Sequence, residues 1–365
     1  MTGDTNVISA SYIPPTPETG VYGVTWLGTS GSAWSRTDDA VDFGFPIPYF
    51  SGMIGNPSSP FDTISPWKDM EIVEDDEAGS LVKIPKYYYK WNRSGDSMQL
   101  QISMTQHEGF LTSPAHADRG DGQGERDVVY VGRYHCASNY KSTSGTSPIA
   151  SITRVKARTN IHNLGSTIWQ FDYAMFWTVN MLYLVEFADW DSQKVIGYGC
   201  GSGSKGNTGK TDSMPYHTGT MSTSKTTYAT GIQYRYIEDW WANVYDWVDG
   251  IYFNGRNVYA IKNPAAFSDS SNGTLVGERA SSSGYITKWT YPTVQGYEYG
   301  LYPSAVTSSQ SYVNDYCSFS SSGVVLFFGG LWYDQSQYYG AFYLIGSYTA
   351  SNSDSHIGCR LQKLP

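Results

Sequence analysis

The run YAMFWTVNMLYLVEF at positions 173–187 limits the fold more than any other stretch of the chain. It is broken only by Thr178, Asn180 and Glu186. Crossing a bilayer takes roughly 20 apolar residues, so this run is too short to span one and must be enclosed by the protein itself. Its apolar positions (Phe176, Met181, Leu182, Leu184 and Val185, with Trp190 beyond) follow a helical pattern rather than the alternation of a strand. Asp172 stands where an N-cap belongs, which predicts a buried helix over about 172–192.

What encloses it is expected to be β-rich. Aromatics make up 16% of the chain, with 31 Tyr and 12 Trp, and charged residues another 16%. Disorder goes with few aromatics and high charge, the opposite balance. Residues 20–27, 98–104, 127–134 and 322–330 read as strands. Residues 81–91 read as one strand bent or edged at Pro85. The acidic stretch 71–79 reads as a solvated turn, and 113–126, 197–230 and 263–283 read as loops. We place a soft boundary near residue 97: residues 1–97 form a β-rich module for assembly or attachment, and 98–365 form a second, larger domain.

Several function classes lose their main support. The net charge is −9 with no run of Lys and Arg, which disfavours a nucleic-acid partner. Residues 1–12 lack the basic and apolar regions of a signal peptide, and no segment calls for membrane insertion. Cys136, Cys200, Cys317 and Cys359 are widely spaced, as suits buried free thiols rather than a zinc site. The stretch Ser204 to Thr211 imitates a phosphate loop, but Ser204 replaces its first glycine and no helix opens after Thr211. Arg119-Gly120-Asp121 is short enough to recur by chance. Asp118, Asp121, Glu125 and Asp127 lack EF-hand spacing, so Arg119 and Arg126 are expected to act as their local counter-ions, with calcium held by these hard oxygens as the alternative. The six histidines form no HExxH, and no serine sits in GxSxG. No cofactor or metal is called for.

The densest signal is Glu238-Asp239-Trp240-Trp241-Ala242-Asn243-Val244-Tyr245-Asp246-Trp247. With Gly329-Gly330-Leu331-Trp332 and the closing Gly358-Cys359-Arg360-Leu361, its order resembles the formylglycine-generating-enzyme-like branch of the C-type lectin fold. The stretch Tyr183-Leu184-Val185-Glu186-Phe187-Ala188 is similar to a helix of that family. The resemblance implies an α+β, C-type-lectin-like domain, β-rich and loop-rich with one or two helices. The enzymes of that branch hold copper through two cysteines shortly before the closing element. No cysteine lies between positions 331 and 358 here, so the resemblance implies the fold without the oxidase activity.

Between the glycine pair and the closing element, residues 331–356 resemble the variable regions of diversity-generating retroelement proteins, the phage tropism determinants among them. Residues 119–136 and 161–169 are similar to structural proteins of phages and prophages. By this resemblance Gly340 and Phe342 are scaffold. The displayed, ligand-binding positions are then Leu331, Tyr333, Asp334, Gln337, Tyr338, Tyr339, Tyr343, Ile345, Ser347 and Tyr348. Tyrosine gives a large, rigid contact area with a polar tip, and serine, glycine and asparagine add adaptable hydrogen bonds. The expected protein is a non-enzymatic receptor binder in a phage or prophage tail. Its partners would be a bacterial cell-surface protein or carbohydrate and other tail proteins. A homotrimer suits such an appendage, although no residue requires one. Two rivals stand beside it: a lectin-fold oxidase or glycan hydrolase, and a purely structural virion component.

Overall fold

The computed structural model describes residues 19–28, 31–201, 203–226, 231–270, 272–321, 324–333 and 339–365. At its centre is the apolar helix, Tyr173–Phe187, with all of its residues buried. The Asp172 carboxylate caps it by accepting from the Met175 N–H at 2.8 Å. It stops earlier than its pattern suggests, because Ala188 turns left-handed (φ 51°).

The three polar residues that interrupt the run are the points where the helix grips the rest of the chain. Thr178 Oγ1 accepts from the Ala115 N–H at 2.9 Å. Asn180 accepts from Trp240 Nε1 at 2.9 Å and donates to the Ala341 carbonyl at 3.1 Å. Glu186 is fully buried and held in a fork by Arg235, at 2.6 and 3.0 Å, with Ser59 Oγ donating at 2.7 Å. Buried polar groups must be paired, so each one fixes a distant segment against the helix.

Three sheets build the frame around it. The first runs, in spatial order, Ser35–Asp38, Val21–Trp26, Ser97–Ser103, Tyr88–Ser94 and Leu111–Thr112, all antiparallel. The second runs Ile168–Gln170, Leu361–Lys363, Val128–Gly132, Gly79–Pro85 and Glu71–Asp75, so the end of the chain returns beside much earlier strands. The third has seven strands: Tyr302–Thr307, Gly284–Thr290, Tyr316–Phe319, Leu344–Tyr348, Val325–Phe328, Tyr245–Val248 and Ile357–Gly358. Among the described residues no helix is long and apolar enough to cross a membrane.

The centre of the third sheet is buried on both faces. In Val325–Phe328, Leu326 and Phe328 join the core around the helix, while Val325 and Phe327 join a second cluster with Tyr245, Trp247, Ile345 and Cys359. Burial on both sides explains why this strand reads as an unbroken apolar run.

Four expectations change. The run 81–91 is two strands in two different sheets, because Pro85 closes Gly79–Pro85 and cannot donate to a continuing ladder. Position 97 falls at the hairpin joining Tyr88–Ser94 to Ser97–Ser103, and strands from both sides of it share three sheets and one core. No structural division follows from it. The acidic stretch begins as a strand, Glu71–Asp75, and 263–283 contains another, Thr274–Glu278. A further helix, Arg154–His162, escaped notice because it is mostly polar, burying only Arg154, Ala157 and Ile161.

Candidate binding face

The three short motifs, spread over more than a hundred residues of sequence, lie side by side. Tyr245–Val248 pairs antiparallel with Val325–Phe328, which leads into Gly329-Gly330, and parallel with Ile357–Gly358. Ala242 and Asn243 both adopt positive φ, 72° and 65°. The Asn243 side chain holds this turn by bonding Gly206 N, Gly206 O and Asp239 Oδ2 at 2.9 to 3.1 Å. Arg360, fully buried, locks the motifs together. It donates to Asp246 Oδ2 at 3.1 Å and to the carbonyls of Gly132, Arg133, Glu238 and Asp239 at 2.8 to 3.1 Å. Asp246 also meets His135 at 3.0 Å, and His135 and Arg360 together hold its carboxyl below the usual range despite burial.

Above this base the segment 339–348 is fixed by its backbone. Ser192 Oγ accepts from Ala341 N at 2.9 Å, and Asp315 Oδ2 accepts from Phe342 N at 2.7 Å. The Phe342 ring is fully buried, 4.8 Å from Trp190. At Gly340 a Cβ would come within 2.4 Å of Ser192 Oγ, and at Gly330 within 2.5 Å of the Tyr339 ring. Both glycines are therefore demanded by close approach.

Of the displayed positions, Asp334, Gln337 and Tyr338 lie outside the described residues. Tyr333 is 51% exposed; its hydroxyl is 3.3 Å from His356 Nδ1 and its ring packs edge-on against Trp332. Tyr343, Ser347 and Tyr348 are half-buried. The Tyr343 ring lies nearly parallel to Tyr245 at 6.1 Å, and Tyr348 leans on Phe327 at 5.2 Å. Leu331 and Ile345 are only 7% exposed and Tyr339 is fully buried, against expectation. Ile345 sits in a central strand of the double-faced sheet, Leu331 joins the second core cluster, and Tyr339 fills the space left by Gly330. These three carry the face from beneath.

The result is a row of aromatic rings with a polar rim, where Thr349, Ser351 and Asn352 bond one another at 2.7 to 3.0 Å. Rings and hydroxyls of this kind are able to stack and to hydrogen-bond. Sequence reasoning missed Trp332, Tyr245 and His356. Only the pairing of Tyr245–Val248 with Ile357–Gly358 brings Tyr245 and His356 together, 5.7 Å apart.

The decoy motifs resolve structurally. The amides of Gly209 and Thr211 both donate to the Glu238 carboxyl group at 2.7 Å, so an internal side chain occupies the cradle a phosphate would need. Arg119 is 2% exposed and paired with Asp172 at 2.6 Å, which removes it from any surface tripeptide. Asp121 pairs with Arg126 and Asp127 with Lys86. Among the described residues no group of three or more His, Cys, Asp or Glu side chains is arranged to hold a metal. All four cysteines are buried and unbridged. Cys136 and Cys359 are neighbours, with thiols in contact and a backbone bond of 2.9 Å, and burial pushes the Cys359 thiol far up. Comparison with known protein families finds no matching model, and comparison with curated proteins finds no match either.

Proposed function

We propose that this chain is a non-enzymatic receptor-binding protein of a phage or prophage tail. In this reading a C-type-lectin-like domain presents the face around residues 331–356 to a bacterial surface protein or glycan, and a retroelement diversifies that face. The observation that carries the reading is the arrangement of Tyr333, Tyr343 and Tyr348. Their rings are partly open, and they rest on a fixed base through Tyr245, Phe327 and His356. Two features support the lectin-like frame: the adjacency of the three motifs, and the return of the last strand beside Val128–Gly132. Binding is favoured over catalysis because the face offers rings and hydroxyls, with His356 as its nearest imidazole. Burial lowers the His356 pKa, and Asp354, 3.2 Å away, only partly offsets this.

The test replaces Tyr333 and Tyr348 together by Ala. Binding of labelled protein to a panel of bacteria is then measured by flow cytometry, with circular dichroism as the folding control. Adherence should fall at least about tenfold, as for loss of central aromatic contacts. Undiminished adherence by a folded double variant refutes the assignment of the face.

A further inference from the structure

A second site lies among segments that share no residue with the aromatic face. The loop following Ser97–Ser103, Lys262 and the stretch 295–299 enclose a cavity of about 320 Å³, which falls in the size range of small-ligand sites. Its apolar part is aromatic: Tyr89, Phe110 and Tyr299, each less than a tenth exposed. Burial raises both phenols well above their usual range, and Glu298 raises Tyr89 further, so both hydroxyls stay protonated and able to donate.

The polar part is mixed in sign. Arg119 lines the cavity while 2% exposed. Its Nε donates to the Lys262 carbonyl and its Nη2 to Asp172, both at 2.6 Å, but its Nη1 has no partner in the protein. Two of its five N–H groups thus have an acceptor among the described residues, and the buried remainder is under-satisfied. The Lys262 ammonium makes no ion pair among the described residues. Against these two cations stand the carboxylates of Asp118, Glu125 and Glu298. Each already takes an internal bond, from Gly120 N, Thr112 Oγ1 and Gly296 N respectively, at 2.7 to 2.8 Å, and Glu125 also faces Lys86 at 3.9 Å.

An anionic ligand would face three carboxylates and a cationic one two cations. A neutral polyol can accept from the cations and donate to the carboxylates at once, while the rings take its C–H faces. We propose that this cavity binds an uncharged pyranose, as a free sugar or as one residue of a longer glycan. This proposal does not rest on the reading of the aromatic face.

The experiment uses the full chain and methyl glycosides of glucose, galactose, mannose and N-acetylglucosamine, followed by saturation-transfer NMR. Methyl glucuronide and methyl glucosaminide serve as the charged arms. At least one neutral glycoside should bind saturably, with a dissociation constant in the millimolar range. Glu298→Gln and Lys262→Met, at partly exposed positions, should each weaken it about tenfold, with thermal unfolding showing that both fold. Tyr333→Ala should leave it unchanged. Tighter binding of the matching di- or trisaccharide identifies a glycan, and equal binding a free sugar; either result supports the site. The proposal fails if no neutral glycoside binds, if a charged one binds better, or if both cavity variants bind normally.

Discussion

His116 offers the sharpest quantitative test of how the loop 113–126 is held. Its ring is fully buried, with Nδ1 2.6 Å from Ser113 Oγ and Nε2 3.0 Å from the Ile84 carbonyl. A carbonyl only accepts, so Nε2 carries the hydrogen and Nδ1 accepts from the serine hydroxyl. Burial lowers the imidazole from its usual 6.5 to about 4; the Ile84 carbonyl works against this, and the charges of Lys86 and Arg126 add to it. Between those two values the unfolded chain binds a proton that the folded chain refuses, so stability falls as pH falls and levels off below about 4. A difference of about 2.5 in pKa, at about 1.4 kcal/mol each, amounts to about 3 kcal/mol. Domains are typically stable by only about 5–15 kcal/mol, so this loss is large. The comparison is with His116→Gln, which keeps an N–H for Ile84 and does not titrate. Every other group is common to both chains and cancels. That includes Glu238, which burial and Asp239 push up to about 7 and which therefore acts with the opposite sign. Urea unfolding from pH 7.5 to 4 should show the native chain losing about 3 kcal/mol relative to the variant. A constant difference across that range, or an imidazole resonance titrating near 6.5, refutes the reasoning.

Arg360→Lys should cost about 4 kcal/mol, because one ammonium cannot serve Asp246 and four carbonyls, and each buried acceptor left over costs about 1–3 kcal/mol. Urea unfolding measures it, and a loss under 1 kcal/mol contradicts the locking role. Arg235→Met leaves the Glu186 carboxylate buried without its cation. It should destabilise by about 3–5 kcal/mol, and Arg235→Met with Glu186→Leu should recover much of that. Gly340→Ala places a methyl group 2.4 Å from Ser192 Oγ and should lower stability by about 1–3 kcal/mol, read as a lower thermal midpoint.

What was legible in the sequence was whatever a local pattern dictates. The central helix shows in its apolar run, its cap shows in Asp172, and the double-faced strand shows in the unbroken Val325–Phe328. The polar helix Arg154–His162 was not legible, because its stability comes from Arg154 and Arg158. These reach Asp249 and Asp269, about a hundred residues away. The separation of 81–91 into two sheets was hidden as well, since Pro85 announces a break without saying where the chain goes next. At the face, composition marked the segment but not which rings turn outward. Tyr339 and Tyr343 are both tyrosines in one run, yet Gly330 leaves a vacancy that only Tyr339 fills. Tyr245 and His356 could be assigned to the face only after strand pairing was known.

A surface meant to vary needs a backbone that does not depend on the side chains being varied, and the hydrogen bonds here have that character. Ala341 N, Ala341 O and Phe342 N are held by Ser192, Asn180 and Asp315, side chains from outside the segment acting on its main chain. Replacing Tyr333 or Tyr348 leaves all three bonds in place. Asp315 is fully buried, and its carboxyl is pushed well above the usual range, chiefly by desolvation, which matches a fixed acceptor shut off from water. Of the rings of the face, Tyr348 packs onto Phe327 and Tyr343 onto Tyr245, both of which belong to strands fixed by the sheet and by Arg360. Sequence change at the exposed positions is thereby uncoupled from the energy that holds the fold. That separation is what the proposed role, recognition of changing partners, requires of its scaffold.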